Sequence, residues 1–229
     1  RGIHICKSML AYQKWGNGKT PESEKMKPDH FVGKYYTLFT KEAEKDPKLE
    51  EDAQHLLQKW ENGDTETRKL WRKMNDWAEK GMFETYAKLG AEFNHNYYES
   101  EFYNKGKEVV MKAFEKGILE KAENGAIIVP LKKFDLPDKP VIRGDGTSLY
   151  FTQDIYLAIK RFEDYPHLDR IVYVVASEQE MHFRQLFATL ELMGVEQAKK
   201  CYHLGYGLLT LPTGKMSSRQ GTVVNADDL

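Results

Sequence analysis

The first 123 residues place apolar side chains at helical spacing between charged ones, which predicts a mainly helical region. Residues 1–15 have one apolar helix face, and Asp29 and Asp64 stand where they would cap two further helices. Trp71 and Trp77 recur at helical spacing after Asp64. We interpret them as core residues, and the charged runs as solvated helix faces.

From residue 124 onward, short apolar runs alternate with helical stretches. Ile171–Ala176 reads IVYVVA, a continuous apolar run typical of a parallel strand buried on both faces. Shorter strands are predicted at 126–131, 141–143, 149–151 and 208–211, and helices at 154–162 and 180–193. This alternation predicts an α/β fold with an open parallel sheet. Such sheets bind ligands at the carboxyl ends of their strands, so the loops after Ala176 and Leu211 are the expected site.

Composition and charge limit what the chain can bind. With 34 basic and 35 acidic residues, the net charge is −1, so RNA would bind to local patches or to parts outside these 229 residues. No apolar run reaches the ~18 residues of a membrane span. No charged and then apolar leader precedes Arg1, so no secretory signal is expected. Cys6 and Cys201 lie far apart, which predicts neither a disulfide nor a zinc site and favours the reducing cytoplasm.

The segment from Gly214 to Gly221 concentrates groups that can bind phosphate. It holds a lysine, two serine hydroxyls and an arginine between glycines, after a predicted strand. Cations there can offset the negative charge that develops on a leaving pyrophosphate, and hydroxyls and backbone N–H groups add hydrogen bonds. The GxxxxGK[ST] spacing of a P-loop is absent. A basic, serine-containing segment alone is more often an ordinary surface loop, but its position after a strand favours a function.

This segment resembles the second signature of class I aminoacyl-tRNA synthetases, in the KMSxR form of the arginyl-tRNA synthetases. The matching residues are Lys215, Met216, Ser217, Ser218 and Arg219. Ser218 and Arg219 stand where the general class pattern carries lysine, a departure that is common in arginyl enzymes. The resemblance implies that Lys215, Ser217, Ser218 and Arg219 are catalytic, and that Gly214, Lys215 and Met216 bind ATP.

Two upstream stretches extend the resemblance. Residues 143–154, RGDGTSLYFTQD, resemble the R-S-D-G-T-x-x-Y-x-T-x-D stretch of that family, and residues 176–182, ASEQEMH, resemble its G-S-E-Q-x-x-H stretch. By this resemblance, the arginine substrate is bound by Tyr150, Asp154 and Gln179, and ATP is contacted by Glu178 and His182.

The chemistry of these side chains agrees with that expectation. Tyr150 and Asp154 are four residues apart across the predicted junction of a strand and a helix, so both can face the sheet edge. A carboxylate can pair bidentately with a guanidinium, a geometry that the ammonium of lysine cannot reproduce. The simpler alternatives are that Asp154 is a helix N-cap and that Gln179 and His182 are capping or surface groups. The ordered spacing of three motifs favours the binding site.

The resemblance also implies a domain organisation. Residues 1–18 and 124–229 would form the two halves of a Rossmann-type catalytic domain, the second half with the KMSK-like loop, and residues 19–123 a mainly helical connective insertion. The first, HIGH-type signature of the family would precede Arg1, and the anticodon-binding domain would follow Leu229. The 229 residues alone are therefore expected to be inactive.

The implied activity is that of an arginine–tRNA ligase. Such an enzyme forms arginyl-adenylate from L-arginine and ATP, with Mg²⁺ accompanying the ATP, and transfers the arginine to tRNA(Arg). The full-length protein is expected to be a cytoplasmic monomer without a membrane segment and without metal ligands of its own. The alternatives are a class I synthetase of another specificity and a non-catalytic RNA-binding paralogue.

Overall fold

The structure is a computed structural model that describes residues 2–207, 210–211, 214–215 and 224–228, with the backbone only at 210–211 and 214–215. The chain divides into two compact units, one of residues 1–96 with 209–229 and one of residues 97–208. Packing defines these units. The boundaries expected after residues 18 and 123 separate the two halves of a catalytic domain from its helical insertion. The two packing units do not test them, so they stay a prediction. In the described part of the chain, no helix is both long enough and apolar enough to cross a membrane.

Helices form most of the first unit. They are α1 (Ile3–Trp15), α2 (Pro28–Ala43), α3 (Lys48–Glu61) and α4 (Thr65–Lys88). Met9 of α1 and Phe31 and Phe39 of α2 are fully buried in one apolar core. Trp71 and Trp77 of α4 pack against that core, which confirms the interpretation of these tryptophans.

The two predicted helix caps have different outcomes. Asp64 is the N-cap of α4, because its carboxylate accepts a hydrogen bond from Thr67 N at 2.8 Å, as predicted. The prediction that Asp29 caps α2 is wrong, because the helix begins one residue earlier at Pro28, with Lys27 as its N-cap. Proline suits the first helical position, since its φ is already helical and its missing N–H is not needed there. Asp29 lies in the first turn.

The second unit combines helices with two small sheets. Its elements are α5 (Glu99–Phe102), α6 (Lys105–Glu115), β1 (Glu120–Lys121), β2 (Ile127–Val129), β3 (Lys139–Ile142), α7 (Phe151–Asp164), β4 (Ile171–Ala176), α8 (Glu180–Leu192) and β5 (Cys201–Tyr206). Strands β1, β2 and β3 form an antiparallel sheet, and β4 and β5 form a parallel pair. Val141 of β3, Ile155 of α7 and Leu186 of α8 meet in one core. This core holds the beginnings of α7 and α8 beside β4.

The parallel pair confirms the predicted parallel pairing, but β4 differs from the prediction. In the described chain it is not buried on both faces, since Val172 and Val174 are 47% and 62% exposed. Their partners across the pair, Tyr202 and Leu204 of β5, are exposed as well. The strand β5 was not predicted, because its sequence CYHLGY mixes polar residues and glycine with apolar ones.

The last predicted strand corresponds to part of a hairpin in the first unit. Strand β6 (Thr210–Leu211) pairs antiparallel with β7 (Gly214–Lys215). A short 3₁₀ turn follows at Ala226–Asp228. The other residues of the predicted strand, 208 and 209, lie outside the described residues.

Candidate functional site

A tight turn follows β3 and begins the stretch that is expected to bind arginine. Oδ1 of Asp145 closes this turn by accepting hydrogen bonds from Thr147 Oγ1 at 2.7 Å and Thr147 N at 2.9 Å. These bonds hold the pKa of the Asp145 carboxyl below its usual value. Gly146 has a φ of 83°, a conformation that side chains rarely adopt. Arg143 N donates to Thr147 O at 2.8 Å, so these residues turn the chain back along β3.

The strand predicted at residues 149–151 is wrong, because α7 begins at Phe151. Leu149 N makes one hydrogen bond to Val141 O at 2.9 Å. Thr152 then turns the chain into the helix, since its buried hydroxyl donates to Leu149 O at 2.8 Å. Hydrogen bonds of threonine to nearby carbonyls compete with strand pairing in this way.

Tyr150 and Asp154 are neighbours on α7. Tyr150 is the N-cap residue and is 66% exposed, and Asp154 N is 3.3 Å from Tyr150 O in the first turn. The alternative that Asp154 is itself the N-cap is therefore wrong. Residues four apart on a helix lie side by side on one face. The two positions are therefore related by the first turn of α7 rather than by a junction of strand and helix.

The carboxylate of Asp154 contacts His182. Its Oδ2 lies 3.0 Å from His182 Nε2, and the side chains are 41% and 27% exposed. Phe151 and Phe183 meet the imidazole edge to face, with ring centroids 5.2 and 5.3 Å away. These contacts fix the imidazole between the first turns of α7 and α8. They pair a residue expected to bind arginine with one expected to bind ATP.

Glu178 and Gln179 lie at the carboxyl end of β4, where the sheet was expected to bind its ligand. Both are exposed in the 3₁₀ turn Ser177–Gln179, which connects β4 to α8. Gln179 is the N-cap residue of α8, but its side chain makes no capping hydrogen bond. The capping alternative for Gln179 is therefore wrong, and the surface alternative stays open.

Strand β5 adds two residues that the sequence did not indicate. His203 Nε2 is 2.9 Å from Val175 O, and its ring stacks on Phe183 with centroids 4.6 Å apart. A Cβ on Gly205 would lie 3.4 Å from Ser177 Cα, so this position of β5 faces the turn after β4. A histidine and a glycine two residues apart are a recognisable signal only once they are known to share a strand.

The phosphate-binding segment is described in part. The backbone of Gly214 and Lys215 forms β7, in which Lys215 pairs with Thr210 and Gly214 with Leu211. The side chain of Lys215 is not described. The remaining predicted residues of this segment, Met216, Ser217, Ser218 and Arg219, lie outside the described residues, so their roles stay predictions.

Comparisons with known proteins give one consistent result. The family model described as tRNA synthetases class I (R), catalytic domain, matches residues 9–229. The chain is 51% identical to a protein of Treponema denticola named arginine–tRNA ligase, over 100% of the chain and 39% of that protein. It is 48% identical to a protein of Parabacteroides distasonis with the same name, over 100% of the chain and 41% of that protein. The chain thus spans about two fifths of the length of these curated relatives.

Solved structures support the same fold. The arginyl-tRNA synthetase of Thermus thermophilus superposes with a TM-score of 0.75 at 21% sequence identity, over 99% of this chain and 43% of that one. The arginyl-tRNA synthetase of Plasmodium falciparum superposes with a TM-score of 0.66 at 17% identity, over 90% of this chain and 34% of that one. These likenesses confirm the expected α/β catalytic fold.

Proposed function

The chain belongs to the family of class I tRNA synthetase (R) catalytic domains, and from that membership we propose that it is the catalytic part of an arginine–tRNA ligase. The observation that supports arginine as the substrate is the carboxylate of Asp154, half exposed and one helical turn from Tyr150. A guanidinium presents two parallel N–H donors to such a carboxylate. Lysine offers only a point charge, and citrulline offers none.

The reaction has two steps. A carboxylate oxygen of arginine attacks the α-phosphorus of ATP, the bond to the β-phosphate oxygen breaks, and pyrophosphate leaves. The terminal ribose hydroxyl of tRNA(Arg) then attacks the carbonyl carbon of arginyl-adenylate, and AMP leaves. No side chain forms a covalent intermediate, so the protein contributes positioning and charge stabilisation.

We assign the predicted residues to these steps by charge and chemistry. Tyr150, Asp154 and Gln179 hold the arginine, while Glu178 binds ATP at the end of β4. Phosphate contacts come from Gly214–Arg219, where Lys215 and Arg219 offset the charge on pyrophosphate and Ser217 and Ser218 donate hydrogen bonds.

Mg²⁺ would arrive with ATP, because magnesium is usually held by substrate phosphates and few carboxylates. Among the described residues, one cluster has the spacing of a metal site: Asp29, His30 and Asp227. Lys27 Nζ already lies 3.1 Å from Asp29 Oδ2 and 2.6 Å from Asp227 Oδ2, so an ammonium balances these carboxylates. This cluster does not fit a magnesium site, and no step of the reaction is assigned to an ion held by it.

His182 receives a second role in this proposal. The resemblance implies a contact with ATP, whereas the contact in the structure is with Asp154. We propose that the imidazole orients the Asp154 carboxylate toward the guanidinium, since its own orientation is fixed by Phe151 and Phe183.

The proposal places the full-length protein in the cytoplasm, where ATP and tRNA meet, and treats it as a monomer. Its test is tRNA charging by the full-length protein with radiolabelled arginine, lysine, glutamine and citrulline. Arginine alone should be attached to tRNA(Arg), and Lys215→Ala should slow charging by roughly a hundredfold to a thousandfold without weakening arginine binding. Charging with another amino acid would support a different specificity. RNA binding without any charging would support the non-catalytic alternative.

A further inference from the structure

His203 of β5 joins the end of β4 to the first turn of α8. Its Nε2 lies 2.9 Å from Val175 O, one residue before β4 ends at Ala176. Because a carbonyl oxygen only accepts hydrogen bonds, Nε2 carries the proton and donates. The imidazole also stacks on the buried ring of Phe183, with centroids 4.6 Å apart and planes 24° from parallel. One side chain thus holds a strand and a helix that both lead to residues expected to bind arginine.

The stacked ring reaches the expected arginine site through Phe183. The ring of Phe183 meets His182 edge to face, with centroids 5.3 Å apart and planes at 79°. His182 Nε2 in turn lies 3.0 Å from Asp154 Oδ2. Contacts between aromatic rings depend on their relative orientation, so a shift of Phe183 changes the direction in which the imidazole of His182 points. The position of His203 therefore affects the carboxylate that is proposed to bind the guanidinium.

The hydrogen bond reaches the same site through the backbone after β4. Val175 and Ala176 lead directly into the 3₁₀ turn Ser177–Gln179, and Gln179 is expected to bind arginine. Gln179 makes no capping hydrogen bond that would fix its side chain to α8. The bond from His203 to Val175 O, four residues before Gln179, restrains the point from which the turn begins. Restraining the start of a short turn limits the conformations that its last residue can adopt.

Histidine supplies two contacts that commoner side chains supply singly. Phenylalanine can stack on Phe183 but has no donor for Val175 O, and glutamine can donate to that oxygen but has no ring. The imidazole also borders a cavity of about 440 Å³, together with Ser177 and Arg184. Direct contact of His203 with a ligand in that cavity is the alternative role, and kinetics distinguish the two.

We propose that His203 is a positioning residue for arginine recognition. This inference rests on the proposed function, because it assigns Asp154 and Gln179 to the arginine substrate. Side chains that bind a substrate keep their geometry only when packing and hydrogen bonds fix the residues behind them. His203 provides both kinds of support, through Phe183 and through Val175. It acts on the affinity for arginine and does not touch the reacting atoms.

Kinetics of the full-length protein test this role with two variants that each keep one contact. His203→Phe keeps the ring and His203→Gln keeps the donor, while His167→Gln changes an exposed histidine as the matched control. Each His203 variant should raise the KM for arginine in arginyl-adenylate formation about fivefold, the effect of losing one contact, and should leave kcat and the KM for ATP within about twofold of the wild type. The control should match the wild type.

Two kinetic patterns would overturn the proposal. A rise in the KM for ATP alone would make His203 a direct ATP contact, and equal losses for arginine and ATP would indicate simple destabilisation. A double variant tests the route through His182. His203→Gln combined with His182→Gln should be no worse than the poorer single variant, because both changes disturb the same chain of contacts, and additive losses would contradict that route.

A measurement that needs no activity separates this inference from the proposed function. Hydrogen–deuterium exchange of the full-length protein, read on the peptide that contains Ser177–Gln179, reports how firmly the turn is held. His203→Phe should exchange there several times faster than His167→Gln, at a temperature where circular dichroism shows both to be folded, and His203→Gln should match the control. Equal exchange in His203→Phe and the control would overturn the proposal. A wild type that activates no arginine refutes the proposed function, while the exchange still decides whether His203 holds the turn.

Discussion

Replacing Asp154 by asparagine should reveal how the site recognises a guanidinium. Asparagine has nearly the same size and retains an oxygen that can accept a hydrogen bond from His182 Nε2, which lies 3.0 Å from the aspartate. The substitution therefore removes the charge and leaves the local geometry in place. Asp154 lies in the first turn of α7 and is not its N-cap. The substitution therefore removes only the favourable interaction of one negative charge with the positive end of the helix dipole. That loss is about 0.3–1 kcal/mol of stability.

The size of the effect follows from the exposure of the carboxylate. A fully buried ion pair that loses one partner costs about 3–5 kcal/mol, and a fully exposed pair about 0–1 kcal/mol. The Asp154 side chain is 41% exposed without substrate, and a bound guanidinium would cover part of that surface. We therefore expect a loss of about 2–3 kcal/mol, which corresponds to roughly a 30- to 150-fold fall in kcat/KM for arginine.

The assay is arginine-dependent exchange of ATP and pyrophosphate by the full-length protein with tRNA(Arg) present. Citrulline serves as a competing analogue, because it has the shape of arginine without the charge. The ratio of arginine to citrulline activity should narrow in Asp154→Asn. Glu163→Gln is the matched control, since it removes an exposed carboxylate from the same helix, and it should behave as the wild type. Wild-type arginine kinetics and an unchanged ratio in Asp154→Asn would refute the assignment.

Three further predictions follow from contacts and pKa shifts. His182→Gln should raise the KM for arginine about fivefold and leave the KM for ATP constant, because the variant loses one hydrogen bond to Asp154. A rise in the KM for ATP alone would favour a contact of His182 with ATP instead. Burial raises the pKa of the Cys201 thiol to about 11. At about pH 8, a thiol reagent should therefore modify Cys201 at least about a hundredfold more slowly in the native protein than in guanidinium chloride. Equal rates of modification would contradict this burial. The hydrogen bond from Lys27 lowers the pKa of Asp227 from 3.8 to about 2, so this carboxylate stabilises the fold above about pH 4 and loses that effect as the pH falls toward 2. The difference in Tm between wild type and Asp227→Asn should shrink over that range, and a difference that grows would contradict the ion pair.

The sequence was most informative where chemistry and local pattern coincide. The apolar run of β4 and the amphipathic pattern of α8 predicted both elements, and the motif spacing placed Gln179 at the end of β4. The cap at Asp64 was also predictable, because a carboxylate three residues before a free backbone N–H needs no long-range information.

Other features depend on contacts that are distant along the chain. The contact of Asp154 with His182 requires α7 and α8 to pack with their first turns together. The ion pair of Asp227 could not be predicted from the sequence, because its partner Lys27 lies 200 residues earlier in the chain. The strand expected at Leu149 failed for a local reason, because the hydroxyl of Thr152 bonds to the carbonyl of Leu149 and starts a helix.

The most direct test of the proposed arginine site is a crystal structure of the full-length protein with bound L-arginine. We expect the guanidinium nitrogens to lie about 2.7–2.9 Å from the Asp154 carboxylate, beside Tyr150. His182 should keep its contact with Asp154, which is 3.0 Å in the absence of substrate. Arginine bound elsewhere, with its guanidinium on other acidic residues and Asp154 contacting His182 alone, would contradict the proposed site.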